Sequence, residues 1–413
     1  MSKKAVKIAL QVGAIILGSV GMFMYLASYF IGLALIAAAL ALYFVGMRVG
    51  EGREAARDAL KKISRNLVVP AAGILIAVII GAIIMALSGY NPFTSYAALF
   101  YGGFVKNWNV SILNASPLIF TGLSVAFAFK AGLFNIGAEG QYYLGAMAAT
   151  FLGITLKLPG ILTIPLIFII GGALSAAYNY IPALLKVKTG AHEVITTMMF
   201  AHIARYMSSV FIRAMGGDNA SAHPYVTDPI NESSFLPLFK DILPEANYRL
   251  HMGIIIAIVV ALFVYWLLTK TTIGFEIRAV GHNPQAARAQ GISVGKNIFL
   301  ALLFAGFLSG LAGVNQTLGL DHKLFENLQA GYGWNGISVA LLASNHPVGV
   351  VFTSLLWGAL DAGGQYMSRT LQIPNAIVDI IKGIILFLVV ARYLYAWIMN
   401  RVKGKPKAAA EKV

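Results

Sequence analysis

The sequence predicts an all-α polytopic membrane protein with about twelve membrane segments, and three observations carry that reading. Hydrophobic residues make up 58% of the chain and charged residues only 11%, whereas a soluble domain carries about 25% charged residues. Apolar stretches such as 67–87 and 253–268 approach the roughly 20 residues that a helix needs to cross a bilayer core. Lys and Arg cluster at the ends of these stretches, so the formal charge of +15 reflects the positive-inside rule and not a nucleic-acid surface. Cysteine is absent, which excludes a disulfide framework and a thiol nucleophile.

Taken in order, Lys3, Lys4 and Lys7 place the N-terminus in the cytoplasm. The segment lacks a small-residue cleavage site and reads as retained. A transmembrane hairpin over 1–50, with spans near 8–26 and 29–47, returns the chain to an interfacial cytoplasmic helix over 51–65. There Arg53, Arg57, Lys61, Lys62 and Arg65 mix with Glu51, Glu54 and Asp58. The core runs over 66–398, with spans near 67–88, 114–131, 137–155, 160–184, 192–213 and 251–269. A basic loop over 270–296 then falls in the cytoplasm. Spans near 297–316, 333–345, 347–366 and 375–398 leave the basic tail, 399–413, on the same side. Both termini are thus cytoplasmic; the main basic loops satisfy the charge rule, with Lys157 an exception on the outer side. The spans at 114–131, 137–155 and 333–345 are short or glycine-interrupted and are the candidates for half-helices.

The stretch 128–146 is the most informative. It carries Lys130, Asn135, Glu139 and Gln141 among apolar runs, together with Gly132, Gly137, Gly140 and Gly145. Polar groups and loosened helices at membrane depth are tolerated where backbone lines a protected cavity, and transporters build central sites from interrupted helices. Asn135 and Gln141 both donate and accept hydrogen bonds, which suits sugar hydroxyls and base edges. Glu139 either accepts from a solute or caps the N-terminus of a half-helix. Glu193, ahead of Thr196 and Thr197, has the same two readings. Trp334 and Asn335 open the short span of the second half, where an aromatic either stacks on a base or anchors at the interface. Asp379 and Lys382, one turn apart, pair on one helix face.

Two hydrophilic insertions remain. The outer loop, 215–250, carries Asp218, Asp228, Glu232, Asp241 and Glu245; it is either a solvated connector or, given its length, a docking surface for an external partner. The inner loop contains a short amphipathic helix, a turn in which Asn283 caps and Pro284 opens a second helix, and a stop at Gly291. Its small residues suit insertion into the groove of a cytoplasmic motor.

Enzymatic readings fail on context. Gly291, Ser293 and Gly295 match G-x-S-x-G, but no strand precedes them. His192 and Glu193 begin a zincin pattern whose fifth position is Thr196, and His202 sits on a different helix face from His192. No phosphate-binding G-x-x-x-x-G-K-[ST] occurs.

The pairing of A-G-L-F-N-I-G-A-E-G-Q (131–141) with R-A-V-G-H-N-P-Q-A-A-R-A-Q-G-I-S-V (278–294) resembles the permease subunit of binding-protein-dependent ABC importers. The branch is the one serving branched-chain amino acids, ribose and nucleosides, and the wording of 134–141 and the stretch 89–92 are most similar to its nucleoside members. The resemblance covers about 66–395. It implies a ten-helix core with broken half-helices and inverted repeats, to which the N-terminal hairpin is an addition. It implies nucleoside import by alternating access in the cell membrane; sugar or branched-chain amino acid import, or an ion-coupled transporter acting alone, are the alternatives. The implied partners are cytoplasmic ATPase subunits, a second permease (sibling or self) and an extracytoplasmic solute-binding lipoprotein or periplasmic protein. This chain then binds no cofactor or metal and is not an enzyme, ATP and Mg residing on the ATPase. The substrate pathway falls to Asn135, Glu139, Gln141, Glu193, Trp334 and Asn335. Coupling to the ATPase falls to Gly274, Arg278, Gly281, Asn283, Ala286, Ala287 and Gly291.

Overall fold

A computed structural model describes residues 75–216, 225–239, 249–326 and 331–390. The expected hairpin, the interfacial helix at 51–65, the tail at 399–413 and parts of the outer loop (217–224 and 240–248) lie outside the described residues. The chain divides into two compact units. One comprises Met1–Tyr101 with Met367–Val413; the other is Gly102–Tyr366.

Among the described residues the regular structure is helical, apart from two isolated β-bridges. In the first unit lie α1 (Leu75–Leu87) and α2 (Pro92–Phe100), and a π-helical turn, Tyr101–Lys106, follows. The second unit continues with α3 (Trp108–Lys130), α4 (Ala138–Thr155), α5 (Gly160–Tyr178), α6 (Tyr180–Thr189) and α7 (Glu193–Ala214). After the outer loop come α8 (Gly253–Lys270), α9 (Thr272–His282), α10 (Pro284–Ala289) and α11 (Val294–Gln316), then a second π-helical turn, Thr317–Asp321. Next are α12 (Tyr332–Leu342), α13 (Pro347–Leu371), whose residues from Met367 on belong to the first unit, and, in the first unit, α14 (Ala376–Val390). Among the described residues four stretches are long and apolar enough to cross a bilayer: Trp108–Lys130, Gly160–Thr189, Gly253–Lys270 and Val294–Asp321. The protein is a multi-pass membrane protein.

Two expectations about elements change. The span expected from 114 begins at Trp108 and runs 23 residues, so α3 is a full-length helix and no half-helix. Residues 115–128 of α3 are buried without a break, and that packing holds the helix through Pro117. The stretch 92–100, not expected as a helix, forms α2. Asn91 supplies the cap, accepting from Phe93 N–H at 3.0 Å, and Pro92 takes the first turn. By contrast α12, at 11 residues, spans only about 16 Å and cannot cross a bilayer. In the first unit Lys382 and Asp379 pair at 3.1 Å, as their spacing foretells.

Within the second unit α11 packs on α3, α4 and α5. Small residues let backbones touch there: a Cβ at Gly145 would strike the Gly310 carbonyl, and one at Gly313 the Tyr142 carbonyl. Buried side chains bond across helices to main-chain carbonyls. Ser124 Oγ donates to Ala305 O (2.6 Å), Ser175 Oγ to Gln141 O (3.0 Å) and Asn179 Nδ2 to Leu302 O (2.6 Å). The described part of the outer loop is no loose connector. Thr227, Ile230 and Leu236 donate backbone N–H groups to Leu324, His322 and Leu318, and Asn231 donates to Gly153. Its own Ile230, Leu236 and Phe239 are buried.

Candidate functional site

The N-terminal ends of α4 and α12 meet, and the long helices hold them crosswise. Thr121 on α3 donates its hydroxyl to Tyr332 O, the first residue of α12 (2.9 Å). Ser309 on α11 donates in the same way to Ala138 O, the first residue of α4 (2.5 Å). Glu139 closes the junction: its two carboxylate oxygens accept from Gly331 N–H (3.2 Å) and Gly333 N–H (2.7 Å). A carboxylate there satisfies orphan donors of α12 and complements its positive end. Gly331 sits at φ 62°, and Gly333 lies so close to Glu139 that a Cβ would strike its main chain. Glu139 therefore caps a half-helix, but the facing one and not its own.

Asn135 and Gln141 are fully and almost fully buried and bond one another reciprocally. Asn135 Nδ2 donates to Gln141 Oε1 (2.9 Å), and Gln141 Nε2 returns a bond to Asn135 Oδ1 (3.0 Å); Asn135 also donates to Ser124 Oγ (3.1 Å). The pair locks the loop between α3 and α4. Glu193, at the foot of α7, forms an ion pair with Lys186 at 2.7 Å. Trp334 is 41% exposed on the first turn of α12, and Asn335 is half-buried beside it. The structure thus brings Asn135, Glu139 and Gln141 together beside the start of α12 and leaves Glu193 engaged elsewhere. An apolar groove of about 810 Å³ lies between α4, α5 and α7, lined by Leu144, Phe151, Tyr178 and Tyr206 among others. Tyr178 uses its hydroxyl on Phe200 O (2.7 Å), so the groove lacks the free polar groups a hydrophilic solute needs.

The inner loop has the expected form. Asn283 Oδ1 accepts from Gln285 and Ala286 N–H, each at 3.0 Å. Gly291, at φ 79°, ends α10 as Ile292 N–H bonds Ala287 O and Gly291 N–H bonds Arg288 O, the paired bonds of a Schellman stop. Ala287 is buried against Val280 and Val294, while Gln285, Ala286 and Arg288 are exposed. Gly274 is pressed on the Leu267 carbonyl, and Arg278 Nε donates back to Gly274 O (3.3 Å). Gly281 touches the main chain at Lys130 and Ala131, where a Cβ would collide. The inner loop thereby abuts the turn that leads to Asn135 and α4. Nearby, burial first and the Lys130 charge second hold His346 below the usual imidazole range. Its Nδ1 accepts from Gly349 N–H (3.3 Å), which a neutral ring permits. Among the described residues no group of three His, Asp or Glu could hold a metal.

The family described as branched-chain amino acid transport system / permease component matches residues 109–390. The chain belongs to this permease family. The permease is similar to the guanosine ABC transporter permease protein NupP of Bacillus subtilis, 38% identical over 351 residues, 84% of this chain and 99% of the relative. It is 34% identical to the nucleoside ABC transporter permease protein NupB of Lactococcus lactis over 357 residues, 84% of this chain and 97% of that one. It is 30% identical to the glucose ABC transporter permease protein TsgB13 of Haloferax volcanii over 339 residues, 78% and 87% of the two chains. No solved structure matches the permease significantly.

Sequence reasoning passed over Tyr142, Asp321 and Tyr332, which gather at the same junction. Tyr142 sits directly after Gln141 in the motif, and its aromatic side chain reads there as ordinary core. Asp321 is 179 positions further on, and only folding brings it near.

Proposed function

We propose that this chain is the membrane-spanning permease subunit of an ATP-driven importer that moves nucleosides into the cytoplasm by alternating access. The observation that carries the substrate is the likeness to permeases named for guanosine and for nucleosides over nearly their whole lengths. The pathway runs past the junction of α4 and α12, with Asn135, Glu139, Gln141, Trp334 and Asn335 near it and Glu193 toward its rim. The crosswise bonds of Thr121 and Ser309 to the first residues of α12 and α4 support two inverted repeats. On this reading about twelve segments cross the membrane, ten of them forming the core, and both termini are cytoplasmic.

ATP and Mg are bound by separate cytoplasmic ATPase subunits, and this chain binds no cofactor of its own. The ATPases dock on α9 and α10, where Gly274, Arg278, Gly281, Asn283, Ala287 and Gly291 shape the element and Ala286 is on its exposed side. A second permease completes the pathway, and an extracytoplasmic binding protein delivers solute to the outer loop. A sugar is the second reading, favoured by the relative named for glucose.

The test is uptake of labelled guanosine and uridine in cells lacking this gene. Loss of uptake, restored by the gene, is the expected result. Unchanged nucleoside uptake together with lost glucose uptake would move the assignment to sugars.

A further inference from the structure

The polar groups buried where α4, α11 and α12 meet fall into two sets. Asn135, Glu139, Gln141, Thr121, Ser124 and Ser309 all have protein partners. Tyr142 is different. Its side chain is fully buried, yet its hydroxyl has no hydrogen-bond partner, a state that costs about 1–3 kcal/mol when nothing fills it. The Tyr142 ring centroid lies 5.8 Å from that of Tyr332, on the first residue of the facing half-helix. The π-helical turn that Asp321 ends packs on α4, the helix that carries Tyr142, and on α11. Among the described residues only Gln316 donates to the Asp321 carboxylate, at 3.3 Å. Asp321 ends the π-helical turn Thr317–Asp321, and such turns re-aim side chains, often at functional sites.

A solute crossing the protein must find hydrogen-bonding capacity that the fold has left open. Tyr142 and Asp321 offer such capacity, and the amide pair chosen from the sequence does not. An ionised carboxylate accepts from two donors at once, which matches adjacent hydroxyls on a furanose ring. Aromatic rings offer flat surfaces to a base.

We propose that Tyr142, Asp321 and Tyr332 form the solute-recognition site, Asp321 accepting from the vicinal hydroxyls of a ribonucleoside and Tyr142 donating to the same pair. This rests on the nucleoside-import reading and specifies the solute as one bearing a 2′,3′-diol. Tyr332 offers its ring to the base.

The experiment compares labelled guanosine with labelled 2′,3′-dideoxyguanosine, each at saturating concentration, in gene-deleted cells carrying wild-type, Asp321→Asn or Tyr142→Phe permease. Immunoblots of membranes confirm equal amounts of protein. Wild type is expected to favour guanosine. Asp321→Asn lowers guanosine uptake at least about 10-fold and Tyr142→Phe about 3- to 10-fold, the range one lost hydrogen bond gives. Uptake of the dideoxy compound barely changes, so the preference collapses. Wild-type discrimination in both variants would overturn the site, as would equal loss of both solutes, which marks a positioning role. Wild-type permease that ignores the diol would also overturn it. If Asp321→Asn fails to reach the membrane, Tyr142→Phe decides, because it removes only an oxygen with no partner. Wild-type permease that carries neither compound would instead sink the import reading, and this site with it.

Discussion

Glu139 shows how much one side chain can be asked to do. It belongs to α4, yet its oxygens hold Gly331 and Gly333 of the chain 192 and 194 positions away. Hydrogen bonds to a charged acceptor contribute about 1.5–3 kcal/mol, and a single carboxylate makes two here. Glu139→Gln keeps the volume and loses one acceptor oxygen, placing an NH₂ against an N–H. We expect it to lower the unfolding free energy of the detergent-solubilised protein by about 1–3 kcal/mol, read as a drop in melting temperature. A wild-type melting temperature would show that the cap contributes little. The motif placed Glu139 at a helix start, and so made capping one of its two readings. It could not name the helix, because the choice between α4 and α12 depends on how closely Gly333 approaches.

The inner loop is where local sequence said most at the scale of an element. Asn283 as cap, Pro284 at the first helical position and Gly291 as stop all act through neighbours within a few residues, and the structure has each of them. What local sequence could not show is the contact surface. Gly281 faces the Lys130 carbonyl, so a tryptophan there would break packing against α3 before it reached any partner. Ala286 is exposed and tests docking cleanly. Ala286→Trp should leave the melting temperature unchanged while cutting solute uptake at least about 10-fold, since bulk at a packed interface costs 1–3 kcal/mol or more. Gly281→Trp should lower both. Full uptake by Ala286→Trp would remove α10 from the coupling surface.

For the whole molecule, the separation of motor from pathway is the property most open to test. The sequence has no phosphate-binding loop, and the chain belongs to a family of permease components. In intact cells, lowering ATP at fixed membrane potential should abolish uptake, and a protonophore at maintained ATP should spare it. The opposite pattern would identify an ion-coupled carrier acting alone.

Composition and charge placement determined the membrane class, because the cost of polar groups in hydrocarbon leaves few ways to arrange a chain this apolar. Caps and turns of the inner loop were equally legible, since their partners lie within one turn of helix. The α2 helix was legible too, in Asn91 and Pro92, but its 9 residues fall below the length at which apolar periodicity speaks. Tertiary structure alone decided the site. Asn135 and Gln141, the best sequence candidates for a solute, are held by each other, while Tyr142 and Asp321 were silent as a pair because a 179-residue separation carries no periodic signal. Which polar groups are satisfied is a property of three-dimensional neighbours, and that is what divides a structural clasp from a place for a solute.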